Sequence, residues 1–188
     1  MLTRDDILQA AEDVLRRYGP AKANVVDVAR ALNVSHGTVY RHFPSKAALR
    51  DAVAERFLEG VSAPLDAVMA EPAEPIDKLR RWLETLIGSK RAKAANDPEL
   101  FANYVKLAEE SGDAVRGHVD HLLAHLTEIV GDPETARAVF DATARFHDPR
   151  HAAEWASPDI DRRFEEVFEL LAQAIARPAS SAHSSAAR

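Results

Sequence analysis

Apolar side chains recur along this chain at intervals of three and four residues, and no stretch alternates at the two-residue period of a half-buried strand. Ile7, Ala10, Ala11, Val14 and Leu15 make one such stripe, opened by a Thr3-x-x-Asp6 cap signal and closed by Tyr18-Gly19-Pro20. Val28, Ala29 and Leu32 form a shorter stripe behind Asn24, whose side chain can accept from the free N–H groups of an opening turn. Further on one device repeats, a capping residue followed by proline at the first helical position. It stands at Asp97-Pro98, Asp132-Pro133, Asp148-Pro149 and Ser157-Pro158, with Glu74-Pro75 a weaker version. These marks predict helices near 3–18, 25–32, 35–43, 45–63, 75–94, 98–110, 112–130, 133–147 and 158–176, with a short one at 149–156. The predicted fold class is all-α.

The stretch from Val25 to Lys46, VVDVARALNVSHGTVYRHFPSK, carries the most chemistry. Ala29 sits where two crossing helices need a small side chain. Asn33 follows the first helix, and asparagine tolerates the left-handed conformation that a tight turn requires. Val34 plugs the junction. Ser35 then caps a second helix with His36, Thr38, Tyr40, Arg41 and His42 outward and Val39 inward. Phe43 packs, Pro44 stops the helix, and Ser45 starts another with Lys46 in its first turn. This is a helix-turn-helix whose second member can enter a DNA major groove.

The run VSHGTVYRHFPSKAALRDAV resembles the DNA-binding signature of the TetR family of bacterial transcriptional regulators. Its specific part is T-V-Y-R-H-F-x-S-K with an amphipathic helix on either side. The likeness is close over about the first third of the chain and extends to the rest only as an all-helical layout. It implies a three-helix DNA-binding domain over residues 1–48 and a larger helical effector-binding and dimerisation domain over 49–177. Residues 178–188 are small and polar with nothing to bury, and are expected to be a disordered tail.

By that resemblance His36 and Gly37 approach base edges, and a glycine in the helix suits close approach to DNA. Thr38, Tyr40 and His42 match phosphate-contacting positions. Arg41 can pair with guanine or hold a phosphate, and Lys46 adds charge near a helix N-terminus. Asn24 and Ser35 are expected to serve as caps and phosphate donors together. The implied partner is double-stranded operator DNA, read as a palindrome by a homodimer. The implied dimer contacts lie on the last two long helices, at Val139, Phe164, Val167, Phe168, Leu171 and Ile175. A core within one chain is the alternative reading of the same stripe.

Family members usually hold a small effector in the larger domain. The corresponding candidates are Trp82, Leu86, Phe101, Tyr104, His121, Phe140, Thr143 and His147, each of which ordinary core packing also explains. An uncharged or weakly charged organic effector is expected. The link Gly131-Asp132 is shorter than related chains often carry, which weakens the transfer of pocket residues.

Composition changes the picture in three places. The formal charge of −6 runs against nucleic acid, yet residues 1–50 hold eight Lys/Arg against five Asp/Glu, while 51–188 hold sixteen against twenty-five. A basic end on an acidic body suits a protein that meets phosphates at that end. The absence of cysteine excludes disulfides and thiolate chemistry, and no apolar run has the length of a membrane span. A soluble, cytoplasmic, nucleoid-associated protein with no membrane contact is expected. His118, His121 and His125 share a helix face, but their spread over two turns is long for one ion, so neither metal nor cofactor is expected. With no HExxH and no nucleophile–base pair, an enzyme is not expected. The expected function is a repressor released from its operator by a small effector. The alternatives are a DNA-binding protein of the same type without an effector, in an architectural role, or a metal-responsive regulator using the histidines.

Overall fold

Helix caps set the element boundaries. A computed structural model describes residues 2–110 and 112–176, so the tail expected at 178–188 lies outside the described residues. The first helix, α1 (Arg4–Tyr18), opens on a reciprocal capping box: the Asp6 N–H donates to the Thr3 hydroxyl at 3.1 Å, and the Thr3 N–H to the Asp6 carboxylate at 2.8 Å. Asn24 caps α2 (Val25–Ala31) by accepting from the Val26 and Asp27 N–H groups. Ser35 caps α3 (His36–Tyr40), and Ser45 caps α4 (Lys46–Ala70). Asn33 takes φ 56° between α2 and α3, with Val34 N–H bonded to Ala29 O and Asn33 N–H to Arg30 O. That pair of bonds is a Schellman closure, which needs the left-handed residue asparagine can supply.

The body follows as α5 (Pro75–Asn96), α6 (Pro98–Glu110), α7 (Gly112–Val130), α8 (Pro133–Ala142), α9 (Ala144–His147), a 3₁₀ turn (Pro149–Glu154) and α10 (Ile160–Ala176). No strand occurs among the described residues. Two apolar cores form. The first joins Ile7, Leu15, Val28, Val39 and Phe43 with Leu49 and Val53 of α4 and Tyr104 and Leu107 of α6. The second joins Val61 and Leu65 of α4 with Trp82, Leu83, Leu122, Phe146, Phe164 and Phe168.

Two boundaries in the larger body differ most from those expected. Pro64 does not end α4, which runs on to Ala70. A proline inside a helix loses one hydrogen bond and crowds the carbonyl four residues back, at a cost of ~3 kcal/mol or more. Val61 and Leu65 on either side of it are fully buried, and burial of such a side chain contributes ~1.5–3 kcal/mol each, enough to carry the helix through. The second difference is the helix expected at 133–147, which breaks at Thr143. The Thr143 hydroxyl donates to the Val139 carbonyl at 2.8 Å, a back-bond that bends helices. α4 also runs straight through the domain boundary expected at 48/49, since its first half belongs to the N-terminal core.

Candidate DNA-reading head and effector cavity

The two helices of the head cross with Ala29, Val39 and Phe43 buried between them, which turns the polar side of α3 outward. His36, Gly37, Tyr40, Arg41 and Lys46 are exposed, while Thr38 and His42 are half-buried. Only His36 to Tyr40 form regular helix, and the turn after them still bonds Phe43 N–H to Val39 O at 3.0 Å. A Cβ added at Gly37 would meet nothing nearer than Ser35 Oγ at 3.8 Å, so packing inside the chain does not require glycine there. Ser35 Oγ accepts from Thr38 N–H and lies 3.0 Å from Thr38 Oγ1. Asn24 is more committed than expected, because its amide Nδ2 also donates to Asp27 Oδ2 at 2.7 Å. Arg4, which sequence reasoning passed over, lays its guanidinium 4.3 Å from the Phe43 ring centre and adds a cation beside the head.

A cavity of about 490 Å³ opens between α4, α6, α7 and α8. Phe57 and Val61 of α4, Phe101 and Tyr104 of α6, Val115 and Val119 of α7 and Phe140 of α8 give it apolar walls. Of the expected effector residues, Phe101, Tyr104, Phe140 and His147 line it. Trp82 and Leu86 instead lie fully buried in the body core. Thr143 is fully buried with its hydroxyl bonded to Val139 O, and His121 is exposed, with Nε2 at 3.0 Å from Asp66 Oδ1.

The cavity also holds charge that the sequence reading did not place. Lys90 lines it, and burial pushes its ammonium down to about 8 while Asp148 pulls the other way. His118 and His147 line it too, both pushed down to about 4, first by burial and then by Lys90. A signal for Lys90 was present: it continues the apolar stripe of Leu83, Leu86 and Ile87 by one turn, where an exposed lysine does not belong.

His121 and His125 do meet Asp66, with the three ligand atoms within 4.8 Å of one another. Trp82 Nε1–H, however, donates to His125 Nδ1 at 3.2 Å. That fixes the imidazole proton on Nε2, the atom 3.4 Å from Asp66 Oδ1 and the one a metal would need bare. Hydrogen bonds thus already engage this group, from Trp82 to His125 and between His121 Nε2 and Asp66 Oδ1.

The cavity reaches the head through α6. Tyr104 Oη donates to Glu12 Oε1 of α1 at 2.9 Å, Asn103 Nδ2 to Leu15 O at 3.0 Å, and Arg16 Nε to Asp97 Oδ2 at 2.7 Å. The Arg16 guanidinium, then the Leu100 N–H, hold the Asp97 carboxyl below its usual range. On the far side, the stripe on α10 divides. Phe164 packs edge-on to Phe146 at 5.5 Å and Phe168 lies under the Arg80 guanidinium, and both are buried, as is Val139. Val167, Leu171 and Ile175 are half-covered, while Leu170 is 68% exposed. No described helix is long and apolar enough to cross a membrane.

An exposed helix-turn-helix on a larger helical body defines a DNA-binding transcriptional regulator. The chain belongs to the TetR family: residues 7–53 match the family described as bacterial regulatory proteins, tetR family, and residues 75–168 match the tetracyclin repressor-like C-terminal domain. It is similar to an uncharacterised HTH-type transcriptional regulator of Mycobacterium tuberculosis, 28% identical over 123 residues covering 65% of this chain and 59% of that protein. The match thus spans about three fifths of the relative's length. The fold is shared with SmeT, the repressor of a Stenotrophomonas maltophilia multidrug efflux pump, at TM-score 0.66 and 18% identity over 96% of each chain. It is also shared with BioQ bound to its double-stranded DNA operator, at TM-score 0.57 and 19% identity over 94% of this chain and 99% of that one.

Proposed function

We propose that this regulator is a repressor that binds a palindromic operator as a homodimer and leaves it when a small molecule fills the cavity. The observation that carries the reading is Tyr104, which lines the cavity and donates to Glu12 in the head. A ligand that shifts α6 therefore acts directly on a contact of α1, and it favours release only insofar as it binds the DNA-free arrangement more tightly. SmeT and BioQ are described as a repressor and an operator-bound protein, and both support this reading by fold alone.

In the head, His36 and Gly37 face base edges, and Thr38, Tyr40, Arg41, His42 and Lys46 meet phosphates or bases, with Ser35 and Asn24 holding the helix starts. The dimer face is the outer side of α10, where Leu170 is exposed beside half-covered Val167 and Leu171, with Phe164 and Phe168 supporting it from beneath.

Operator half-sites should lie ~34–36 Å apart, one helical turn or a multiple of it. Binding to the chain's own upstream DNA should weaken steeply with salt as phosphate contacts release counterions. Lys46→Ala should weaken all sequences alike and reduce the salt slope by about 1, whereas His36→Ala should change which operator variants are preferred. A uniform loss from both substitutions across an operator library would overturn the assignment of His36.

A further inference from the structure

Three facts about the inner end of the cavity belong together. Lys90 lines it and makes no hydrogen bond or ion pair with any described residue. His118 lies 3.1 Å from Ser62 Oγ through Nδ1, while its Nε2 is buried with no partner. The nearby carboxylate of Asp148 is already taken by Arg150, whose Nη2 is 2.5 Å away and whose Nε is at 3.0 Å. A half-buried cation thus lines the empty space, with a buried, unpartnered imidazole nitrogen on a neighbouring wall residue, and unpartnered groups of this kind are costly unless something meets them.

We propose that this end of the cavity binds the carboxylate of a monoanionic organic acid, held by Lys90 Nζ and His118 Nε2, with the acid's apolar body lying among Phe57, Phe101 and Phe140. The proposal rests on the reading of the cavity as an effector site and names the class of effector. Two donors match the two oxygens of a carboxylate; a phosphate dianion would bring more charge and more acceptors than this end can answer. His147 does not compete, because its Nε2 is 3.3 Å from the Phe140 carbonyl and donates there. The whole cavity of about 490 Å³ suits a medium-sized ligand.

A bound carboxylate stabilises the ammonium form of Lys90, so affinity should fall as pH rises through the lysine's own titration, near 8. The other charged groups facing this space are His118 on α7, His147 on α9, and Asp148 and Arg150 at the 3₁₀ turn. Arg137 and Asp141 of α8 and Glu109 of α6 stand exposed at the rim.

The test uses the full chain and matched probes: straight-chain acids from hexanoate to tetradecanoate and 4-phenylbutyrate, each beside its primary amide and primary amine. Binding is read by calorimetry and by the fluorescence of Trp155, whose ring lies 6.0 Å from that of Phe101. The best acid should bind at least about tenfold tighter than its amide at neutral pH, a difference of about 1.4 kcal/mol. That preference should shrink towards pH 9. Lys90→Met should lower the acid to the level of the amide, and Lys90→Arg should restore part of the difference. His118→Phe should reduce the preference as well, with melting curves checking that each variant folds. Equal affinity for acid and amide, preference for the amine, or no binding by any acid would overturn the proposal. An acid that binds through Lys90 yet leaves operator affinity unchanged would uphold the anion site and overturn the regulatory reading instead.

Discussion

Tyr104→Phe removes one oxygen from the contact between cavity and head and leaves the ring in place. The ring is 3% exposed and stacks on Phe57 at 4.0 Å between centres, so its packing should survive. What is lost is the hydrogen bond from Oη to Glu12 Oε1 at 2.9 Å. A hydrogen bond to a charged group contributes ~1.5–3 kcal/mol. Glu12 keeps Arg56 Nε at 3.5 Å, which favours the low end, about 1.5 kcal/mol. For a chain of this size that corresponds to a fall of ~3–6 °C in melting temperature. If the bond also conveys ligand occupancy to α1, its loss should reduce the ligand's effect on operator affinity by up to about tenfold. Fluorescence anisotropy on labelled operator, titrated with and without a cavity ligand, measures that ratio, and scanning calorimetry measures the first effect. A variant that melts several degrees lower yet is released from DNA by ligand as readily as the parent would refute the claim that this contact couples the two sites.

Two further outcomes are expected. Leu170→Glu should give folded monomers by light scattering, whereas Phe168→Glu should unfold the body, because Phe168 is 2% exposed and a carboxylate buried there loses the ring's packing and faces an Arg80 already bonded to Glu165, at a cost of several kcal/mol; folded dimers of both variants would remove the proposed face. Stability should also decline as pH falls from about 6.5 towards 4, since His118 and His147 are held neutral in the fold while the unfolded chain takes up their protons in that window; melting midpoints flat across that range would show that the two rings are not desolvated as described.

Local chemistry made the head legible before any coordinates. Asn24, Ser35 and Ser45 cap because their side chains answer backbone N–H groups two or three residues away, and Asn33 turns left-handed where a Schellman closure demands it. What the residues could not announce depends on neighbours distant in the chain. The helix expected near 45–63 runs on through Pro64, because the burial of Val61 and Leu65 that overrides the proline is tertiary. The α10 stripe read as one surface, but Phe146 and Arg80 claim Phe164 and Phe168 for the same chain and leave Leu170 outside. Aromatic side chains suit an apolar pocket wall, and Phe101, Tyr104 and Phe140 do line one. Trp82 was taken by the core, while Lys90 entered the cavity through a stripe position that a polarity pattern alone assigns to error.

Because α4 serves both cores, the head is not a detachable module at the point where its last sequence signal ends. Leu49, Ala52, Val53 and Ala54 complete the N-terminal core from beyond Pro44 and Lys46. A fragment cut after residue 48 would carry every proposed DNA-facing group and lack the floor on which they stand. Heads exchanged between relatives, whether in the laboratory or over evolutionary time, must therefore bring two further turns of this helix with them. The graft then joins mid-helix, so its azimuth about the α4 axis is set by residue count: one residue added or removed there swings the reading surface by ~100° relative to the body.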